Sequence, residues 1–403
     1  MKEKKTWDII SISSIPLVMT LGNSMLIPVL PQIEKELGIT SFQVSMLITV
    51  YSIVAILCIP IAGYISDHIG RKKVIIPSLV ITGIGGLISA FASWQMDSPY
   101  AVLVFGRFLQ GIGAAGAAPI VMPLVGDMFT AQKDVSKGLG MIETANTLGK
   151  VLSPILGAAL ALIVWYMPFF AIPVFCLISI AAMSFLVKEP PIQKEPLQFM
   201  EFLKSIKVIF RREGRWLYAV FVVGGICMFV LFGVLFYLSD MLEKTYHIDG
   251  IKKGIILAIP LAALCFSSFA TGKAIGQEKQ KMKWMTVVGI GLLTVAIFSV
   301  SFSKDIYLLL TALFVSGVGI GIALPSLDAL VTEGIKMEQR GSITSLYSSM
   351  RFLGVALGPP VFSILMKTSH SFMFLLNAGI CLLTIVVILF AIRPEETVKT
   401  TWG

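Results

Sequence analysis

The chain has 403 residues, of which 56% are hydrophobic and 14% charged, with a mean hydropathy of +0.88 and a net charge of +9. A soluble domain carries about a quarter charged residues. The deficit excludes a soluble enzyme and a disordered chain, and implies an integral membrane protein. A spanning helix needs about 20 mostly apolar residues, so the length accommodates about twelve spans.

Apolar runs broken by charged or turn-rich segments predict helices at 9–31, 42–65, 74–94, 100–126, 138–163, 167–187, 216–239, 254–275, 285–302, 306–331, 342–366 and 371–392. The first run is too long for a cleaved leader and no small-residue cleavage site follows it. The break at 188–215 holds Glu189-Pro190-Pro191, then Phe199, Phe202, Leu203, Ile206 and Phe210 among basic residues. This pattern predicts an amphipathic helix on the membrane surface. The expected organisation is a six-helix bundle over 1–187, a cytoplasmic linker over 188–215 and a second bundle over 216–403.

Basic residues set the orientation. Of the 32 Lys and Arg, 23 fall on the side of the two termini, 6 on the opposite side and three within spans. Lys and Arg accumulate on the cytoplasmic side of membrane proteins. Both termini are therefore expected in the cytoplasm, and the net charge needs no nucleic-acid partner. The five cysteines, Cys58, Cys176, Cys227, Cys265 and Cys381, lie in apolar runs without CxxC pairing and read as inert thiols. His68, His247 and His370 fall between spans with no metal-ligand spacing. No metal, nucleophile triad or phosphate loop is expected.

The halves resemble each other at a fixed offset. Gly111-Ile112-Gly113 before Pro119 matches Gly317-Val318-Gly319 before Pro325, and Leu124–Asp127 matches Leu330–Glu333, both 206 residues on. Leu148-Gly149 with Ser153-Pro154 matches Leu353-Gly354 with Gly358-Pro359, 205 on. Three ordered matches argue for a duplicated six-helix unit, and parallel repeats place a substrate path between the halves.

Three motifs carry a resemblance. Gly63 through Asp67 to Gly70-Arg71-Lys72-Lys73 is similar to the loop between helices 2 and 3 of the major facilitator superfamily, with His68 where the family usually has Arg. Gly106-Arg107 through Gln110-Gly111-Ile112-Gly113 resembles its helix 4 motif associated with proton coupling. Gly140, Gly149, Ser153-Pro154 and Gly157-Ala158 resemble its helix 5 antiporter motif, with Ser153 and Ala158 replacing Gly. The nearest group is the twelve-helix drug:proton antiporters, including Bacillus-type multidrug efflux proteins and siderophore exporters. The resemblance implies an all-α fold of two pseudo-symmetric six-helix bundles and alternating access. It implies antiport of small amphiphiles, protons as the coupling ion with no other cofactor, and a monomer in the bacterial cytoplasmic membrane. It also implies that Arg71 pairs with Asp127 and that Asp67 meets the N-terminus of helix 11, as a lock on the inner gate. Seams between halves are implied at helices 5 with 8 and 2 with 11. For Lys72 and Lys73 the expectation is a topology role alone.

Charges inside spans are costly and usually face a cavity or a partner. Here they are Arg107, Glu143, Lys150, Asp328 and Arg351. Arg107 stays charged at any working pH and so tunes a carboxylate rather than carrying a proton. Glu143 and Asp328 are the proton-site candidates. The first helix has Asn23 but no acid, and in-span charge is three basic against two acidic, which favours anionic, zwitterionic or neutral amphiphiles over permanent cations. Asn146, Lys150, Arg351, Tyr51, Tyr347 and the 3/4-spaced Phe229, Phe232 and Phe236 are the remaining cavity candidates, with helix packing an equal reading for the aromatics. An importer or uniporter of a metabolite or sugar is the rival of the same fold, disfavoured by the helix 5 motif. A non-transporting scaffold or sensor is the rival of another class, and no loop is long enough for an effector domain.

Overall fold

The computed structural model describes residues 3–129, 132–188, 199–276, 278–303, 305–335 and 337–392. Side chains at 3–6, 132–137, 199–207, 212–213 and 337–342 are outside that description. Every regular element among the described residues is helical, and eleven helices are long and apolar enough to cross a membrane. In a bilayer each backbone polar group must be paired within its own segment, which leaves helices as the spanning form for such a chain.

The first span is two helices, α1 (Glu3–Ser24) and α2 (Leu30–Leu37), joined by a 3-10 turn at Ile27–Val29. The continuous run expected over 9–31 is broken because Pro28 and Pro31 lack the amide hydrogens that an uninterrupted helix needs. The second to sixth spans are α3 (Ser41–Ile69), α4 (Arg71–Gln95), α5 (Tyr100–Met128), α6 (Gln132–Ala161) and α7 (Met167–Leu186). Of these, α6 falls short in apolarity, diluted by Glu143, Thr144, Asn146, Thr147, Lys150 and Ser153. The remaining six are α8 (Phe199–Lys244), α9 (Gly250–Ala274), α10 (Lys279–Val300), α11 (Ile306–Gly334), α12 (Met337–Leu365) and α13 (His370–Ala391).

The amphipathic stretch from Phe199 is helical, but it runs without a break into the seventh span, giving a 46-residue helix. No proline interrupts it and Gly214 alone does not stop a helix. Residues 189–198, including Glu189-Pro190-Pro191, lie outside the described residues. Gly70, at φ 107°, is the whole connection between α3 and α4, a backbone geometry open to glycine.

Packing repeats every six spans. Contacts of α4 with α5, α3 with α5 and α1 with α6 recur as α10 with α11, α9 with α11 and α8 with α12. The repeated glycine pairs explain part of this. A Cβ on Gly111 would meet the Tyr51 carbonyl of α3 and one on Gly113 would meet α4; their counterparts Gly317 and Gly319 abut Pro260 of α9 and Gly289 of α10. Small residues let helices approach closely where lipid supplies no hydrophobic drive between them.

The halves meet along α3 with α12 and α6 with α9. Three side-chain bonds among the described residues cross between the halves toward the end opposite Gly70–Lys73. Thr49 Oγ1 donates to the Ala356 carbonyl (2.7 Å), Ser239 Oγ to the Ile27 carbonyl (2.8 Å), and Lys244 pairs with Glu34. This is the far end of the bundle; the opposite, basic end carries Gly70–Lys73 and the first turns of α8.

Candidate functional site

The in-span charges sort into two clusters. The first lies wholly inside the first half. Arg107 of α5 is fully buried. Its Nε donates to the Leu47 carbonyl (2.7 Å), Nη2 to Asn23 Oδ1 (2.7 Å), and Nη1 to the Gly22 carbonyl (3.2 Å) and Gln110 Oε1. The guanidinium also stacks 4.4 Å from the Tyr51 ring centre. Among the described residues it has no carboxylate partner, so the expected tuning of an acid by Arg107 is absent from this conformation. Three elements supply neutral oxygens instead, and one side chain ties α1, α3 and α5 together. Asn23 and Tyr51, expected at the cavity, are buried in this network.

The second cluster spans the cleft between halves. α6 brings Glu143, Asn146 and Lys150, α11 brings Asp328, and α12 brings Tyr347 and Arg351. Arg351 Nη1 lies 3.6 Å from Asp328 Oδ1. Lys150 is within electrostatic reach of Glu143, Arg351 and Asp328. Asp328 and Arg351 are closely surrounded by protein, yet their side chains keep 43% and 20% of their exposure. That combination marks groups lining an internal cleft rather than a packed core. Glu143 is exposed, and Asn146 accepts from Thr20 Oγ1 (2.7 Å) while its amide faces Glu143 at 3.5 Å. Two carboxylates and two cations therefore face one space from opposite halves, a set able to hold an anionic group and exchange a proton.

Tyr347 belongs to this cluster only in part. Arg351 sits 5.8 Å from its ring centre, but the ring packs on Gly224 of α8 and its buried hydroxyl has no hydrogen-bond partner among the described residues. Phe229 packs edge-on against Phe362 (5.9 Å), and Phe232 and Phe236 are buried. Phe229 itself is half-buried, and its contact with Phe362 joins α8 to α12. Tyr237 of the same helix donates or accepts at His370 Nδ1 (2.7 Å), whose Nε2 meets the Val300 carbonyl (2.8 Å). His370 thus opens α13 and stitches it to α8 and α10, where a loop residue was expected. His68 is also helical, in the last turn of α3.

Arg71 contacts Asp67 one turn back and lies 3.1 Å from Asp127 Oδ2, with Nη1 donating to Ser66 Oγ (2.7 Å). Arg71 and Asp127 belong to one half, at the start of α4 and the end of α5. The pair forms while the halves are joined at the far end, so it is an internal brace of the first half here. The expected meeting of Asp67 with the start of helix 11 falls on 337–342, whose side chains lie outside the description. Lys72 does more than set topology: its Nζ donates to the Ser184 and Val187 carbonyls (3.0 and 2.8 Å), where α7 runs out of backbone donors.

The helix 5 motif divides as well. Gly149 and Gly157 abut Thr20, Leu17 and Met25 of the first span, and Ser153 Oγ donates to the Gly149 carbonyl. Gly354 and Gly358 repeat this on α8. These contacts lie within each half. Gly63 and Gly140 have nothing within 4 Å of a notional Cβ, so neither makes a close approach here. The seam of α6 with α9 rests on Gly254, where a Cβ would stand 2.6 Å from the Pro154 carbonyl oxygen. Sequence reasoning missed Gly254, Glu34, Lys244 and the nearly buried Lys253–Glu243 pair (2.6 Å). Lys253 carried a weak signal, a lysine directly before an apolar run; the others carried none.

The sequence pattern of the Major Facilitator Superfamily matches residues 12–359 and 282–402. The chain belongs to this superfamily. It is 57% identical over 391 residues to the bacillibactin exporter of Bacillus subtilis (strain 168), covering 97% of each chain. Multidrug resistance protein 2 of the same organism is 27% identical, with 93% of this chain and 92% of the relative covered. The class E tetracycline resistance protein of Escherichia coli is 24% identical, covering 92% and 91%. The crystal structure of the human organic anion transporter MFSD10 (TETRAN) superposes with a TM-score of 0.75 at 18% identity, covering 95% of this chain and 99% of that one, which supports the fold. The chain is a multi-pass efflux transporter of a bacterial membrane.

Proposed function

We propose that the chain exports a small amphiphilic anion of the siderophore type, driven by proton entry, with the basic end in the cytoplasm. The carrying observation is the cleft in which Lys150 and Arg351 face each other from opposite halves beside Asp328. The 57% identity to a protein named for bacillibactin export supports the cargo class. The excess of Lys and Arg on the terminal side supports the orientation and a cytoplasmic position for both termini.

In this reading the cleft loads from the cytoplasm. Lys150 and Arg351 attract the acidic or polar face of the cargo, while apolar helix surface takes the rest. Glu143 or Asp328 exchanges the proton, since each meets water in the cleft and each sits beside a cation. Arg107 provides rigidity: its four hydrogen bonds make α1, α3 and α5 move as one body. In this reading the transporting unit is a monomer, which is supported by one chain supplying both walls. Protons are the coupling ion and no other cofactor is required.

Binding of a catecholate siderophore to the purified protein tests this reading. Lys150→Gln and Arg351→Gln are each expected to weaken binding about tenfold, the scale of one charge-assisted contact. Unchanged affinity in both would remove the cleft as the cargo site.

A further inference from the structure

A second recess lies outside the cleft, on the lipid-facing side of the seam between α3, α8 and α12. It is a groove of about 460 Å³, walled by Ile56 and Pro60 of α3, Phe221 and Val222 of α8, and Met350 and Leu353 of α12. Its lower lip is Phe210 with Tyr218, whose rings lie 4.9 Å apart. Ser349 and the Tyr218 hydroxyl are the polar groups among its lining residues.

α8 gives the groove a charged mouth. Arg211, Arg215, Tyr218 and Val222 follow i, i+4, i+7, i+11 spacing, which places them on one helix face. All four are exposed, and neither arginine forms an ion pair with a described residue. The stripe passes from guanidinium through an aromatic ring to an aliphatic wall. From Phe210 to Val222 the helix rises about 18 Å at 1.5 Å per residue, close to the roughly 15 Å depth of one hydrocarbon leaflet. A mainly apolar trough beside a helix face of that length, under two cations with no ion-pair partner among the described residues, matches the outline of an anionic lipid.

The geometry points to a binding site for an anionic phospholipid of the basic-end leaflet, with one acyl chain in the groove and the headgroup phosphate on Arg211 and Arg215. The walls come from both halves, so the lipid binds the conformation in which this groove exists. By linkage it favours that conformation. The inference stands apart from the transport reading, because the site is defined without reference to cargo or protons.

Native mass spectrometry of the purified full-length chain tests it, with phosphatidylglycerol and phosphatidylcholine of identical acyl chains as probes and no ion gradient. Wild type is expected to retain phosphatidylglycerol one-to-one, about tenfold in preference to phosphatidylcholine. Arg211→Gln with Arg215→Gln removes the preference. Val222→Trp, which fills the groove, lowers retention of both lipids. Lys279→Gln, an exposed basic residue on α10, leaves both unchanged and reports on general charge loss. Equal retention of the two lipids by wild type overturns the proposal. So does an undiminished preference after removal of both arginines, or retention indifferent to Val222→Trp, which means adsorption at the surface. Displacement of the lipid by added siderophore assigns the groove to cargo and overturns it too.

Discussion

Lys244 Nζ, in the last turn of α8, lies 2.9 Å from Glu34 Oε1 of α2, and this ion pair joins the two halves at the far end of the bundle. Asp240 holds the same ammonium at 2.7 Å and Ser41 Oγ donates to the same Glu34 oxygen at 2.9 Å. A charge shared this way is poised as a latch: it is made when the far end is shut and must break for that end to open. Partly exposed pairs of this kind contribute about 0.2–1 kcal/mol. Glu34→Gln is therefore expected to shift the balance toward far-end opening by up to about fivefold. Spin-label distances between positions 36 and 252 check this; an unchanged distance distribution would show that the pair does not bias the equilibrium.

Gly157 and Gly254 separate packing within a half from closure between halves. A Cβ on Gly157 runs into the Met25 backbone inside the first half. Gly157→Ala is expected to lower the thermal unfolding temperature in detergent. Gly254→Val obstructs the Pro154 carbonyl across the seam instead. It should leave unfolding nearly unaltered, hold the far end apart and stop transport. Equal loss of stability in the two variants would contradict this division.

Arg107 is bonded to two carbonyls and two amide side chains and stacked on Tyr51, all out of water. Arg107→Ala leaves those buried acceptors unpaired, at roughly 1–3 kcal/mol for each group stranded. The expected result is a clear fall in unfolding temperature together with loss of transport. Arg107→Lys should recover little, since an ammonium cannot fork to α1, α3 and α5 at once. Wild-type stability in Arg107→Ala would show that the network is not a structural tie.

The architecture was legible because lipid permits so few solutions. Runs of apolar residues could only be spanning helices, and the duplicated Gly-x-Gly pairs could be read as matching seams before any partner was known. Functional detail was less legible because its partners are not written locally. Arg107 looked like a charge in search of an acid, but its partners include the carbonyls of Leu47 and Gly22, which no side-chain motif encodes. Glu34 and Lys244 are 210 residues apart and look like ordinary loop charges. Gly63 and Gly140 belong to motifs yet face open space among the described residues, so no contact shows what their small size is for. By contrast, Glu143, Lys150, Asp328 and Arg351 were selected simply as charges inside spans, and the fold brings all four to one cleft.

Transport by reconstituted protein tests the central claim most directly. Proteoliposomes with an imposed pH gradient should concentrate a catecholate siderophore against its own gradient, and an uncoupler should abolish this while leaving downhill exchange. Lys150→Gln with Arg351→Gln should lose both. Concentrative transport that survives the uncoupler would contradict proton-driven export.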